Sequence, residues 1–127
     1  MKNKTFELTL ERRSKYIYAH VVSPVITPEI ALEYLGEAIE ACKHANLKRL
    51  LVFREIPAIL ADGVVFQTSM RVIEMLGKIK MAVVNPYLEL EEDMTFAQNV
   101  TTNRGAAHNI FRTVDEAEKW LLDRSVS

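Results

Sequence analysis

The chain has 127 residues and a formal net charge of -1, from 16 Lys and Arg against 17 Asp and Glu, with 49% apolar side chains. This is the composition of one folded soluble domain spanning 1–127, and it excludes a fibrous repeat, a disordered tail and the broad positive field that nucleic-acid binding needs. Cys42 stands alone and His20, His44 and His108 are scattered, so no disulfide, metal cluster or cofactor is expected; no stretch approaches the roughly 20 apolar residues of a membrane span, and the expected setting is the reducing cytoplasm.

Phe6, Leu8 and Leu10 alternate with Thr5, Glu7, Thr9 and Glu11, the period of a strand with one wet face. Lys15 to Ser23 resumes the pattern with Tyr16, Ile17, Tyr18, Ala19, Val21 and Val22, so the two segments are expected to pair as an antiparallel hairpin at the edge of a sheet. Thr27, Pro28 and Glu29 form a helix start, as N-cap, first-turn proline and acidic first turn. Ala31, Leu35, Ala38, Ile39 and Cys42 supply the apolar stripe of that helix, and Asn46 is positioned to end it as a left-handed cap.

The continuous apolar run Leu50 to Phe53 predicts a central strand. A second helix is expected from Asp62 to Leu76, with Phe66, Met70, Ile73 and Leu76 facing inward, Asp62 as its N-cap and Gly77 as its terminator. Ile79 to Val84 reads as another central strand. The acidic turn Glu91-Glu92-Asp93 opens a third helix expected to bury Met94, Phe96, Ala97 and Val100 and to end at Asn103-Arg104-Gly105. A short strand from Ala107 to Phe111 precedes a last helix, which begins at the capping-box spacing Thr113 to Glu116 and packs through Ala117, Trp120 and Leu121. The order is ββαβαβαβα, an α/β domain with a mixed five-stranded sheet and an antiparallel N-terminal edge strand.

This order, with Lys48 to Arg54, Lys78 to Pro86 and the run from Asn103-Arg104-Gly105 through a strand to Asp115-Glu116-Ala117 and Trp120-Leu121, resembles the SpoIIAA-like proteins of the STAS group, the sulfate transporter and anti-sigma factor antagonist domains. The resemblance covers nearly the whole chain and implies a β/α superhelix shared with lipid-carrying CRAL-TRIO domains. It also implies a non-enzymatic regulatory or protein-interaction domain. The antagonists carry a phosphorylatable serine at the start of the helix after the central strand; the matching stretch here is Leu60-Ala61-Asp62-Gly63, so that switch is expected to be missing.

Ligands of open parallel sheets meet the loops beyond the carboxyl ends of the strands. The loop from Arg54 to Asp62 is unusually apolar, and Arg54, Glu55, Ile56, Ile59, Leu60 and Asp62, with Tyr87 from the next such loop, are the candidate partner- or ligand-binding residues. With sequential right-handed crossovers, all helices are expected on one side of the sheet. Tyr16, Tyr18 and His20, extended by Lys80, Ala82 and His108, would then form a bare reverse face, a candidate homodimer surface. No nucleophile sits in a recognisable elbow or pairs with a base, so catalytic residues are not expected, and a hydrolase or transferase using Asp62 or Glu55 as base is the weakest alternative. The expected partners are a second copy or another protein; the alternative is a small apolar, lipid-like ligand.

Overall fold

The strands lie side by side in chain order, β1 (Glu7–Arg12), β2 (Ile17–Val22), β3 (Arg49–Glu55), β4 (Lys80–Val84) and β5 (His108–Phe111), with β1 antiparallel to β2 and every other pair parallel. The computed structural model describes residues 6–102, 105 and 107–123, apart from the side chains of residues 62, 97, 100 and 101. Four helices are described: α1 (Pro28–Ala45), α2 (Asp62–Leu76), α3 (Glu91–Thr102) and α4 (Val114–Leu122). A turn of 3-10 helix, Leu88–Leu90, leads into α3. Among the described residues, no helix is long and apolar enough to cross a membrane.

Local chemistry fixes α1 as its sequence predicts. The Thr27 hydroxyl accepts from the Ile30 amide at 3.1 Å, Pro28 stands where no amide proton is needed, and Asn46 closes the helix in the left-handed region at φ 57°. Its buried residues include Ala31, Leu35, Ala38, Ile39 and Cys42, which pack on Ile17, Ala19, Val21, Leu50 and Val52 of the sheet. In α2 the buried residues are Val65, Thr68, Ser69, Val72 and Leu76. The expected stripe is thus turned: Phe66 is 48% exposed, while Met70 and Ile73 are only partly covered. The helix spans Asp62–Leu76 as expected, but Ala61 rather than Asp62 is its N-cap, and Asp62 is its first residue. In α3, Met94 is buried and Phe96 is 52% exposed; Ala97, Val100, Asn103 and Arg104 lie outside the described side chains.

The helices do not all share one side. α1, α2 and α3 cover the face bearing Ile17, Leu50, Val52, Met81 and Val83. α4 lies on the reverse face, where Ala117 and Leu121 join Tyr16, Leu51, Ala82 and Val84 in a second buried cluster. Basic residues at the start of the strands hold it there. Arg49 donates through Nε to the Leu121 carbonyl at 3.0 Å, and Lys80 donates through Nζ to the Trp120 and Asp123 carbonyls at 2.7 and 3.3 Å. Both cations meet the negative end of the α4 dipole, and Lys80 also sits 4.4 Å from the centre of the Trp120 ring.

Two corrections follow for the candidate dimer face. Tyr16 is 2% exposed, its hydroxyl donating to Glu118 of α4 at 2.6 Å, so it is sealed within one protomer. His108 is opposite Met81 in the parallel register, which puts it on the α1–α3 face. Tyr18 and His20 do share the reverse face with Lys80 and Ala82, but Tyr18 packs against the α4 cluster and beneath the Arg13 guanidinium, 4.2 Å from its ring centre. The four residues therefore form no common surface.

Candidate functional site

The connection from β3 to α2 is organised by Arg54. Its side chain points to the α1 face and is 5% exposed; Nη1 donates to the Ile56 carbonyl at 2.9 Å and Nη2 to the Ala58 carbonyl at 2.6 Å. Gathering those carbonyls curls the loop back over the sheet. Ile56 is driven fully into the core, and Ile59 and Leu60 are left half-buried above it. An apolar loop beyond a strand's carboxyl end has here both of its possible fates: one residue packs and two roof a cavity.

That cavity, of about 110 Å³, lies between α1, α2, α3 and the sheet. Its walls are mainly apolar, with Ala31, Leu35, Val65, Val72, Met81, Val83 and Met94 among them. Tyr34, Arg54, Thr68, Ser69 and His108 bring polar groups into it. Burial raises the Tyr34 phenol above its ordinary pKa, and the neighbouring Arg54 guanidinium pulls it back part of the way. Burial lowers the His108 imidazole to about 4, so it is neutral at physiological pH. Arg54 is then the one charge among the lining residues.

The turned face of α2 now has its reason. Thr68 and Ser69 interrupt the hydrophobic pattern because their side of the helix meets a cavity rather than solid core. Tyr34, Thr68 and Ser69 were not singled out in the sequence; two hydroxyl residues falling between Val65 and Val72 were the available signal. His108 was singled out, but its place in the cavity depends on a strand register that no local pattern reveals.

The other candidates separate. Glu55 points to the reverse face, where His20 Nε2 meets its Oε1 at 2.6 Å and the His20 ring lies 5.1 Å from that of Phe53. This acid–imidazole pair was invisible in sequence because it is diagonal across two parallel strands. Among the described residues, no hydroxyl or thiol bonds to His20. Tyr87 is away from the cavity, its amide held by the Asn85 side chain at 3.2 Å and its carbonyl by the Asn85 amide group at 2.9 Å. Asp62 starts α2, and its side chain lies outside the described residues. Cys42 is fully buried, and burial raises its thiol to about 11. Among the described residues, no group of three or more acidic, His or Cys side chains could hold a metal ion.

A second concavity adjoins the loop. Ile59 and Leu60 with Val65 of α2 and Phe96 of α3 form a surface groove, with Glu92 and Asp93 in its lining. Leu88, just before α3, is 64% exposed.

A sequential mixed sheet, three helices on one face and a fourth on the other, matches known structures along nearly its entire length. The chain superposes on a crystal structure of an anti-sigma factor antagonist from Mycobacterium paratuberculosis with a TM-score of 0.59 at 16% identity, covering 93% of this chain and 95% of that one. It superposes on an uncharacterised DUF3478-family protein with a SpoIIAA-like fold, from Shewanella loihica, with a TM-score of 0.57 at 18% identity, covering 95% and 98%. The chain has the SpoIIAA-like fold. No protein-family model and no curated protein matches the sequence.

In this SpoIIAA-like domain, the start of α2 is the place where the antagonist resemblance puts a phosphorylatable serine. Ala61 stands there, an N-cap whose side chain makes no capping hydrogen bond. Arg112 and Glu91 pair across the β5 and α3 ends through two contacts, Nε with Oε1 and Nη2 with Oε2, the latter at 2.9 Å, which ties the last strand to the helix before it.

Proposed function

We propose that this chain is a non-enzymatic regulatory domain of the STAS-like type, which acts in the cytoplasm by contact with another protein and lacks the phosphoserine switch. One observation carries the reading: the groove of Ile59, Leu60, Val65 and Phe96 at the loop end of the sheet offers apolar side chains beside Glu92 and Asp93, the composition of an interaction surface rather than of a reaction centre. Ala61 has no hydroxyl to accept a phosphoryl group. The partner is recognised through an apolar contact with basic groups facing the acidic rim.

The test is affinity capture with the full chain from cells that express it, alongside Phe96→Asp and Leu60→Asp. A partner retained by the wild type and lost by both folded variants supports the reading. Capture that ignores both substitutions refutes it, and a phosphate adduct in the intact mass of the native protein refutes the missing switch. Light scattering on the same sample reports whether the partner is a second copy.

A second reading, a carrier or sensor of a small apolar ligand, is favoured by the cavity beneath the same loop. Its volume of about 110 Å³ is too small for a long lipid chain and restricts the occupant to a short one. Native mass spectrometry with added small hydrocarbons or alcohols tests it, and no retained mass with any of them refutes it.

A further inference from the structure

Burying a guanidinium is expensive unless an opposite charge and good hydrogen bonds accompany it. Arg54 is 5% exposed and has hydrogen bonds, to the Ile56 and Ala58 carbonyls and to the Tyr34 hydroxyl, but among the described residues no carboxylate pairs with it. Two neutral carbonyls and one phenol do not exhaust its five donors. The same side chain lines an otherwise uncharged cavity with apolar walls, one end of which is therefore cationic. A planar guanidinium donates to a carboxylate through two parallel bonds, the geometry that most favours arginine over lysine.

We propose that this cavity binds a short-chain monocarboxylate, the carboxylate held by Arg54 and the hydrocarbon tail packed among Val72, Val83 and Met94; the proposal rests on the small-ligand reading above. The size follows from the space. An apolar cavity of about 150 Å³ takes one benzene, so about 110 Å³ holds about three-quarters as much and suits an acid of about two or three carbons. Neutral His108 adds no competing charge, and Tyr34, Thr68 and Ser69 bring hydroxyls to the same walls.

The experiment titrates the full chain near neutral pH with propanoate and with propanol, matched in carbon number and differing in charge, and follows the methyl resonances of Val72, Val83 and Met94. Propanoate is expected to bind about ten-fold more tightly than propanol, and Arg54→Met is expected to reduce that preference to below about two-fold. Equal affinity for the two probes, or a preference that survives Arg54→Met, overturns the carboxylate assignment and leaves the small-ligand reading standing. Binding of neither overturns both. If Arg54→Met fails to fold because the loop carbonyls lose their donors, wild-type protein decides alone. Propanoate labelled at its carboxyl carbon is expected to be about ten-fold more acidic when bound than when free; unchanged or weaker acidity overturns the proposal.

Discussion

The placement of α4 on the reverse face predicts a large penalty for Leu121→Ala. Leu121 is fully buried between α4 and the sheet, in a cluster with Leu51, Ala82, Val84 and Ala117. Truncation removes the transfer free energy of the lost methyl groups and leaves a void that the strands cannot close, because Leu51 and Ala82 are held by ladders on both sides. Such substitutions cost about 2–5 kcal/mol, and a fully enclosed site over a rigid sheet belongs near 3 kcal/mol. With a urea dependence of about 1.5 kcal/mol per molar, the midpoint falls by roughly 2 M. Trp120, the single tryptophan, lies 5.6 Å from Phe111 ring to ring, so its fluorescence reports the docking of α4 while far-ultraviolet circular dichroism reports the whole. Both probes are expected to shift together. A loss below about 1 kcal/mol, or a Trp120 signal already solvent-like in the native wild type, would refute the packing of α4 against this face.

Burial holds His108 at about 4 against an ordinary 6.5, so the unfolded chain takes the proton first as pH falls. The stabilisation is fully present above 6.5 and is lost as the pH drops through 6.5 toward 4, by about 3 kcal/mol in all; His108→Gln is expected to flatten that part of the stability curve, and parallel curves for the two proteins would contradict it. Cys42, buried and with its thiol raised to about 11, is expected to resist a thiol reagent in native protein and to react at once in denaturant; rapid native labelling would show that α1 opens easily. Asn46 at φ 57° should tolerate glycine with little change, whereas Asn46→Ala should cost about 1 kcal/mol in thermal unfolding, and equal stability of the two would deny the left-handed cap.

The element order was legible because its signals are local: Thr27-Pro28 and Thr113 with Glu116 mark helix starts, and the α1 stripe repeats without interruption. The side taken by α4 was not. Right-handed crossover constrains a helix that joins two parallel strands, which describes α1, α2 and α3; α4 follows the last strand described and is free to choose. Lys80 was expected on a bare homodimer face, whereas it and Arg49 hold the carbonyl end of a helix. The candidate loop was partly legible. Arg54, Ile59 and Leu60 meet at the cavity as an apolar loop with one charge allows, while Glu55 departs to the opposite face by strand alternation and Tyr87 is held by Asn85. His108 fell on the wrong face because parity across strands requires a register, and register is set by pairing rather than by sequence within one strand.

Because Arg49 and Lys80 grip α4 by its own main-chain oxygens, the carboxyl end of that helix is anchored independently of which side chains it carries, while Ala117 and Leu121 fill the sheet face beneath it. The ribosome releases all five described strands before this helix, so a nascent sheet has Leu51 and Ala82 facing water on one side until residues beyond 113 emerge. Chains halted there are therefore sticky on that side, and covering it waits for the shortest of the four described α-helices.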